Sequence, residues 1–434
     1  MKAILAILIF VIAYIFIATE KVNKTVVAIV GAGVAIAMGL VSFDTAIEAV
    51  DFNVIFLLVG MMISVHILSS TGFFEWIAVH IARATKGEPL NIMLFLFALT
   101  AMLSAFLDNV TTIILIVPVT ILISQLLEIQ PHVFMISEVI ASNIGGTATL
   151  IGDPPNIVIG SQANLTFMDF LTNLAPGIGI VLIFFLLTVG LILKKRLNVP
   201  QHLKDRLTLA EPALAIVDLK TMRRSLAIFA VMFVGFFVHG LLHIEPGVIA
   251  LFFSMVMLLV CKSDGDEVMK SAEWGVILFF VGMFMLVAAL EVNGVIAQIG
   301  NYLVNVMGNN LFGTCMAIMW GSAIFSAILD NIPFVIAMVP LVKTVIAHFA
   351  ALHGAGDVAF VDAEIAQPIW WSLALGACLG GNGTLIGASA NVVMARIAER
   401  NNCPVSFKRF FKWGFAFTIQ ALLISTAYIW LRYF

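Results

Sequence analysis

Ser104-Ala-Phe-Leu-Asp-Asn-Val-Thr-Thr-Ile-Ile-Leu-Ile-Val-Pro118 lies inside a long apolar run. Its frame returns 222 residues later as Ser326-Ala-Ile-Leu-Asp-Asn-Ile-Pro-Phe-Val-Ile-Ala-Met-Val-Pro340. Ser, Ala, Leu, Asp, Asn and the distal Pro recur in step. A carboxylate in hydrocarbon is costly and marks an ion or substrate path. Two of them at corresponding places of a duplicated sequence point to a transporter built from repeats.

The surrounding composition makes the bilayer the solvent. The 434 residues are 62% hydrophobic with a mean hydropathy of +1.11, and only 11% are charged, against about 25% in a soluble domain. The basic residues sit in short loops rather than on one face, which leaves no nucleic-acid footprint. Cys261, Cys315, Cys378 and Cys403 form neither a metal spacing nor a disulfide framework and read as plain buried or interfacial thiols. No G-x-x-x-x-G-K phosphate loop is present, so direct drive by ATP is not expected. No catalytic constellation is visible, and no cofactor is expected beyond Na⁺ or H⁺ as coupling ions.

Runs long enough to span fall at 3–19, 25–42, 52–70, 134–160, 170–193, 225–243, 246–262, 274–292, 368–395 and 412–432. Residues 89–127 and 312–349 each hold an Asp-Asn pair at the centre of an apolar stretch long enough for two limbs. Both read as re-entrant hairpins with Asp-Asn at the tip, where irregular backbone must be surrounded by protein or water. The alternative is two full crossings per stretch. With the N-terminus outside, 19 of the 22 basic residues fall inside, as the positive-inside rule demands. Both termini are then outside, and linker 194–224 is cytoplasmic. Five crossings precede the linker and five follow, so the repeats, 1–193 and 225–434, have inverted topology. The fold class is an all-α polytopic membrane protein: two inverted-topology repeats, each with a re-entrant helical hairpin and a broken transmembrane helix.

Two further blocks carry the repeat. Val54-Ile-Phe-Leu-Leu-Val-Gly-Met61 matches Val276-Ile-Leu-Phe-Phe-Val-Gly-Met283, and Gly145-Gly-Thr-Ala-Thr-Leu-Ile-Gly152 matches Gly380-Gly-Asn-Gly-Thr-Leu-Ile-Gly387. The second offset is longer because the loop at 350–367 is longer.

The candidate ion- and substrate-binding residues come from these blocks. At the tips they are Asp108, Asn109, Thr111 and Thr112, and Asp330 and Asn331. Each Asp can bind Na⁺ through oxygen, take up a proton, or only cap a half-helix. Asp108, Asn109, Asp330 and Asn331 are the Na⁺ candidates. Pro333 and Phe334 replace the two threonines, so Asp108 is expected to have the richer cation shell. No basic residue is expected near either tip. In the broken helices the candidates are Asn143, Gly145, Gly146, Thr147, Thr149, Asp153 and Asn156, and Gly381, Asn382, Thr384 and Asn391. Pro154 and Pro155 interrupt the first helix. The second copy has Ala388, Ser389 and Ala390 in place of Asp153 and the prolines. Glu138, close to the first break, is a candidate proton relay.

Leu107-Asp-Asn-Val-Thr-Thr112 and Ser142-Asn-Ile-Gly-Gly-Thr-Ala-Thr-Leu-Ile-Gly-Asp-Pro-Pro-Asn156 resemble the ArsB/NhaD branch of the ion transporter superfamily, the bacterial relatives of the melanosomal P protein. The resemblance spans the whole chain. It implies a scaffold part that dimerises and a transport part that moves as an elevator in a bacterial-type plasma membrane. Acidic tips are shared with sodium–proton antiporters of that branch, whereas sodium–dicarboxylate carriers have Ser-Asn-Thr there. The expected activity is therefore Na⁺(Li⁺)/H⁺ antiport. Coupled transport of a small anion (citrate, arsenite or another oxyanion) and an anion channel on the same scaffold are the alternatives.

Overall fold

The computed structural model describes residues 1–19, 22–194, 197, 199–208, 211–352 and 361–434. Glu20, Lys21, Lys195 and Arg196, other parts of the linker, and residues 353–360 of the long 350–367 loop lie outside the described residues. Every regular element among the described residues is helical.

The first half contains α1 (Lys2–Thr19), α2 (Lys24–Ala37), α3 (Phe52–Ser69), α4 (Pro89–Phe106), α5 (Asn109–Leu126), α6 (His132–Gly146), α7 (Pro154–Ala163) and α8 (Ala175–Lys194). The second contains α9 (Leu219–Leu242), α10 (Pro246–Cys261), α11 (Trp274–Val292), α12 (Leu311–Ile328), α13 (Asn331–Leu352), α14 (Gln367–Gly380), α15 (Ser389–Arg400) and α16 (Phe407–Tyr433). Amphipathic helices Phe73–Ala84 and Val295–Met307 follow α3 and α11. Nine of the described helices are long and apolar enough to cross a membrane. Large apolar side chains face outward on them, such as Leu191 and Leu241, more than 70% exposed. The asparagines of the sequence motifs, Asp108 and Asp153 are buried inside, and Asp330 is half-buried. That inversion of the soluble pattern fits a lipid surround, and the protein is an integral membrane protein.

Several helix ends differ from the sequence reading, each for a local reason. The second span stops at Ala37 rather than 42, because Gly39 takes a left-handed φ of +65° and Ser42 caps a new short helix. The span expected from 170 begins at Ala175, after the short helix Phe167–Asn173 opened by a Thr166/Asp169 capping box. Asp218 starts α9 six residues before the expected 225, and Ser406 starts α16 five before 412. In each case a side-chain oxygen satisfies early amides that the helix leaves free.

The two halves interlock. Helix α3 packs on α10 of the other half, and α11 packs on α2. At one crossing an added Cβ on Gly60 would lie 2.4 Å from the Ala250 backbone; at the other, one on Gly282 would lie 2.8 Å from Ala28. Small residues let membrane helices approach this closely. Limbs α4 and α5 join at Leu107-Asp108, and α12 and α13 at Leu329-Asp330. Helices α6 and α14 lie against α4 and α12, while α7 meets α13 and α15 meets α5. Both tips and both broken helices therefore converge.

Candidate functional site

Asp153 is the centre of that convergence. It is 1% exposed, at the N-cap of α7, yet its carboxylate makes no capping bond to its own helix. Instead it faces the tips. Asn109 Nδ2 donates to Asp153 Oδ1 at 3.2 Å, and Asn331 Nδ2 reaches both carboxylate oxygens at 3.4 and 3.5 Å. Asn109 Nδ2 also lies 3.2 Å from Asn143 Oδ1. Asn143 in turn donates to Asn382 Oδ1 at 2.9 Å and Asn391 Oδ1 at 3.0 Å. One carboxylate and a chain of amides thus join both tips and both breaks. A cavity of about 20 Å³ lies between Asp108, Asn109, Asp153, Asn331, Glu273 and Ser389, room for about one water or bare cation.

The tip aspartates behave differently from each other. Asp108 caps α5, accepting from the Thr111 amide at 2.8 Å and from the Thr111 hydroxyl, while Thr112 Oγ1 donates to the Asp108 carbonyl. Asp330 accepts from Lys24 Nζ at 2.6 Å and from Ser389 Oγ at 3.0 Å. Lys24 Nζ also donates to Ser389 Oγ at 2.9 Å. The expectation of no basic residue near either tip fails here. Folding brings the first residue of α2 to the tip of the second hairpin, 306 residues along the chain.

Most remaining candidates hold backbone. Asn156 Nδ2 donates to the Gly146, Thr147 and Thr149 carbonyls, and Asn391 Nδ2 to those of Gly381 and Thr384. Thr147 bonds the Asn143 carbonyl. Thr149 bonds Ala105, and Thr384 bonds Ala327. These residues close the loops of the broken helices onto the hairpins. Gly145 presses against Ala101 and Gly146 against Gly152, and Gly381 against Gly387.

The two breaks present opposite chemistry. At α7 the N-cap is a carboxylate, and Pro154 and Pro155 have no amide hydrogen. At α15 the N-cap Ala388 has nearly the same backbone, φ −146° against −140°, but only a methyl group. The Ser389 and Ala390 amides make no hydrogen bond among the described residues, and the Ser389 hydroxyl stands beside them. A helix N-terminus with free amides attracts anions. One end is acceptor-rich and the other donor-rich. The donor-rich end borders a vestibule of about 300 Å³ lined by Asn23, Lys24, Glu273, Asp330, Ser389 and Arg396.

Sequence reasoning passed over Lys24, Ser389, Glu273 and Cys378. Cys378 Sγ donates to Asn156 Oδ1 at 3.4 Å and lies beside Asp153. The repeat offset of 235 assigns Cys378 to the place of Asn143, a signal that was present. No cluster of three metal-ligating residues occurs among the described residues.

A family model described as citrate transporter matches residues 14–376. The chain belongs to the citrate transporter family. It is 40% identical over its whole length to an uncharacterized transporter of Mycobacterium tuberculosis, covering 99% of that protein. A 46 kDa membrane protein of Mycobacterium leprae is 36% identical, with 99% of each chain covered. The human P protein is 31% identical over 96% of this chain and 58% of its own length. The kinship with P protein read from the motifs is present, while the family match names citrate transport rather than the ArsB/NhaD branch. The protein is a transporter, and not an enzyme.

Proposed function

We propose that the protein carries a small carboxylate anion such as citrate, coupled to a cation, by alternating access between the two inverted repeats. The observation that carries this reading is the contrast between Asp153-Pro154-Pro155 and Ala388-Ser389-Ala390 at otherwise equivalent half-helix ends. Asp153, with Asp108, Asn109 and Asn331 around the small cavity, offers oxygens to Na⁺ or a protonatable carboxylate. Lys24, the Ser389 hydroxyl and the free amides of α15 offer donors to a carboxylate. The family's description favours the same substrate class.

In this reading the limbs α4–α5 and α12–α13 are re-entrant hairpins. The vestibule lies on the cytoplasmic side, because the positive-inside count places Lys24 and Arg396 there. In the same reading, an open vestibule on that side makes the state inward-open. The hairpins and broken helices move as an elevator against a dimerising scaffold that includes α2, and the Lys24–Asp330 pair crosses that boundary.

Na⁺(Li⁺)/H⁺ antiport remains a second reading. The buried carboxylates Asp108 and Asp153 favour it, while Lys24 at Asp330 removes the premise of two free acidic tips.

Solid-supported-membrane currents separate the two. Citrate with Na⁺ or a proton gradient is expected to evoke current, and Lys24→Gln to weaken the apparent citrate affinity. Currents evoked by Na⁺ or Li⁺ alone, indifferent to citrate, would select antiport and overturn the anion reading.

A further inference from the structure

Glu138 lies apart from the Asp153 centre. It is fully buried on α6, about two turns before the break. Its Oε1 is 3.2 Å from Thr100 Oγ1 on α4, and its Oε2 bonds Thr120 Oγ1 on α5. The ion pairs among the described residues are Lys24–Asp330 and Lys204–Glu88, so none involves Glu138. The elements packed on α6 are α4, α5, α8, α14, α15, α16 and the 3₁₀ turn Gly381–Gly383. Helices α4, α5 and α14 carry no charged residue. The charges of the others are Lys194 on α8, Arg396, Glu399 and Arg400 on α15, and Lys408, Arg409, Lys412 and Arg432 on α16. None of these bonds Glu138, and His132 is the other titratable group of α6.

The hydrogen count favours one state. A threonine hydroxyl has one hydrogen, and a carbonyl oxygen only accepts. Thr100 Oγ1 lies 2.8 Å from the Leu96 carbonyl and 3.2 Å from Glu138 Oε1, and its one hydrogen favours the nearer acceptor. The contact between Thr100 Oγ1 and Glu138 Oε1 then needs its hydrogen from the glutamate. Thr120 donates to Oε2. The arrangement is complete for a neutral carboxylic acid. An ionised carboxylate at this depth would stand without a counter-charge, which is costly.

The fold does not require this acid. The repeat puts Leu373 at the place of Glu138, Val342 at Thr120 and Ile346 at Ser124, while Ser322 and Ser326 keep the hydroxyls of Thr100 and Ser104. The second copy builds the same packing with apolar residues. Only the first has a polar file. Ser124, one turn beyond Thr120 toward the end of α5, has a buried hydroxyl with no hydrogen-bond partner among the described residues. On the other side Ser142 Oγ lies 3.1 Å from Ser104 Oγ and 3.3 Å from the Asn109 carbonyl, and Asn109 reaches Asp153.

We propose that Glu138 is a proton-binding site, loaded from the Ser124 end of α5, that serves the transport cycle from the first repeat alone. Loading adds one solvent proton to the carboxylate to give the acid bonded to Thr100; release returns that proton. The coupling role rests on the transport reading above, and the protonated state does not.

Infrared difference spectroscopy on the full chain in liposomes tests the site without any substrate. Wild type minus Glu138→Gln should show a carboxylic-acid carbonyl band at neutral pH that shifts in D₂O. Thr120→Val with Ser124→Ile, the residues of the second copy, should slow that shift. Glu138→Gln keeps an acceptor and a donor in place, and Glu138→Leu supplies the second copy's residue should the amide fail to fold. Absence of an acid band in the difference spectrum overturns the proposal. In the same liposomes the pH dependence of citrate-evoked current should flatten in Glu138→Gln; an unchanged profile overturns the coupling role. A wild type without citrate current sinks the substrate reading instead, and the infrared result still decides Glu138.

Discussion

Asp153 and Ala388 occupy equivalent positions, and one carboxyl group decides what each helix end attracts. Asp153→Asn keeps the shape and most hydrogen bonds while removing the charge. It is expected to abolish cation-dependent current with little change in thermal stability, measured by electrophysiology and a melting assay side by side. Ala388→Asp places a carboxylate over the free amides of α15 and is expected to weaken citrate affinity by at least about tenfold, equivalent to about 1.4 kcal/mol. The acidic and amide residues of this centre were legible in the sequence because polar groups at membrane depth stand out against hydrocarbon. Lys24 was not, since a lysine at the start of a span is what the positive-inside rule produces anyway. Ser389 read as a lost proline; only the geometry shows that losing the proline restores an amide donor.

At the scale of elements, each broken helix leans on a hairpin through a glycine. A Cβ on Gly145 would lie 1.9 Å from the Ala101 carbonyl oxygen, and one on Gly380 would lie 2.5 Å from Ala323 Cα. Both obstacles are backbone, so the helices must separate. Gly145→Ala and Gly380→Ala are each expected to destabilise by about 1–3 kcal/mol, typical of overpacking, and to lower the melting temperature and the yield of monodisperse protein. A mild effect at both would mean the helices are freer than their contacts imply. The hairpins and breaks were readable from Asp-Asn, Gly-Gly and Pro-Pro. Helix ends were less so, because hydropathy is blind to caps: Asp218 and Ser406 extend helices into polar sequence, and Gly39 ends one inside apolar sequence.

For the whole molecule, the α3–α10 and α2–α11 crossings mean that neither half buries its own surfaces alone. Residues 1–193 and 225–434 expressed separately are expected to aggregate, and to recover a single size-exclusion peak only when produced together. Stable separate halves would show that the interlock contributes little. The duplication itself was visible in the sequence, but the exchange of partners between halves was not, since periodicity says nothing about which helix a helix meets. A last consequence follows from Cys378. It is fully buried against Asn156 and Asp153, between the two breaks and out of reach of solvent. A thiol-specific reagent can modify it only when the assembly loosens around Asp153. The chain thus carries a native chemical clock: the rate of Cys378 modification, read against a Cys378→Ala control, times each opening of the centre, and any occupant that holds the centre closed slows the clock.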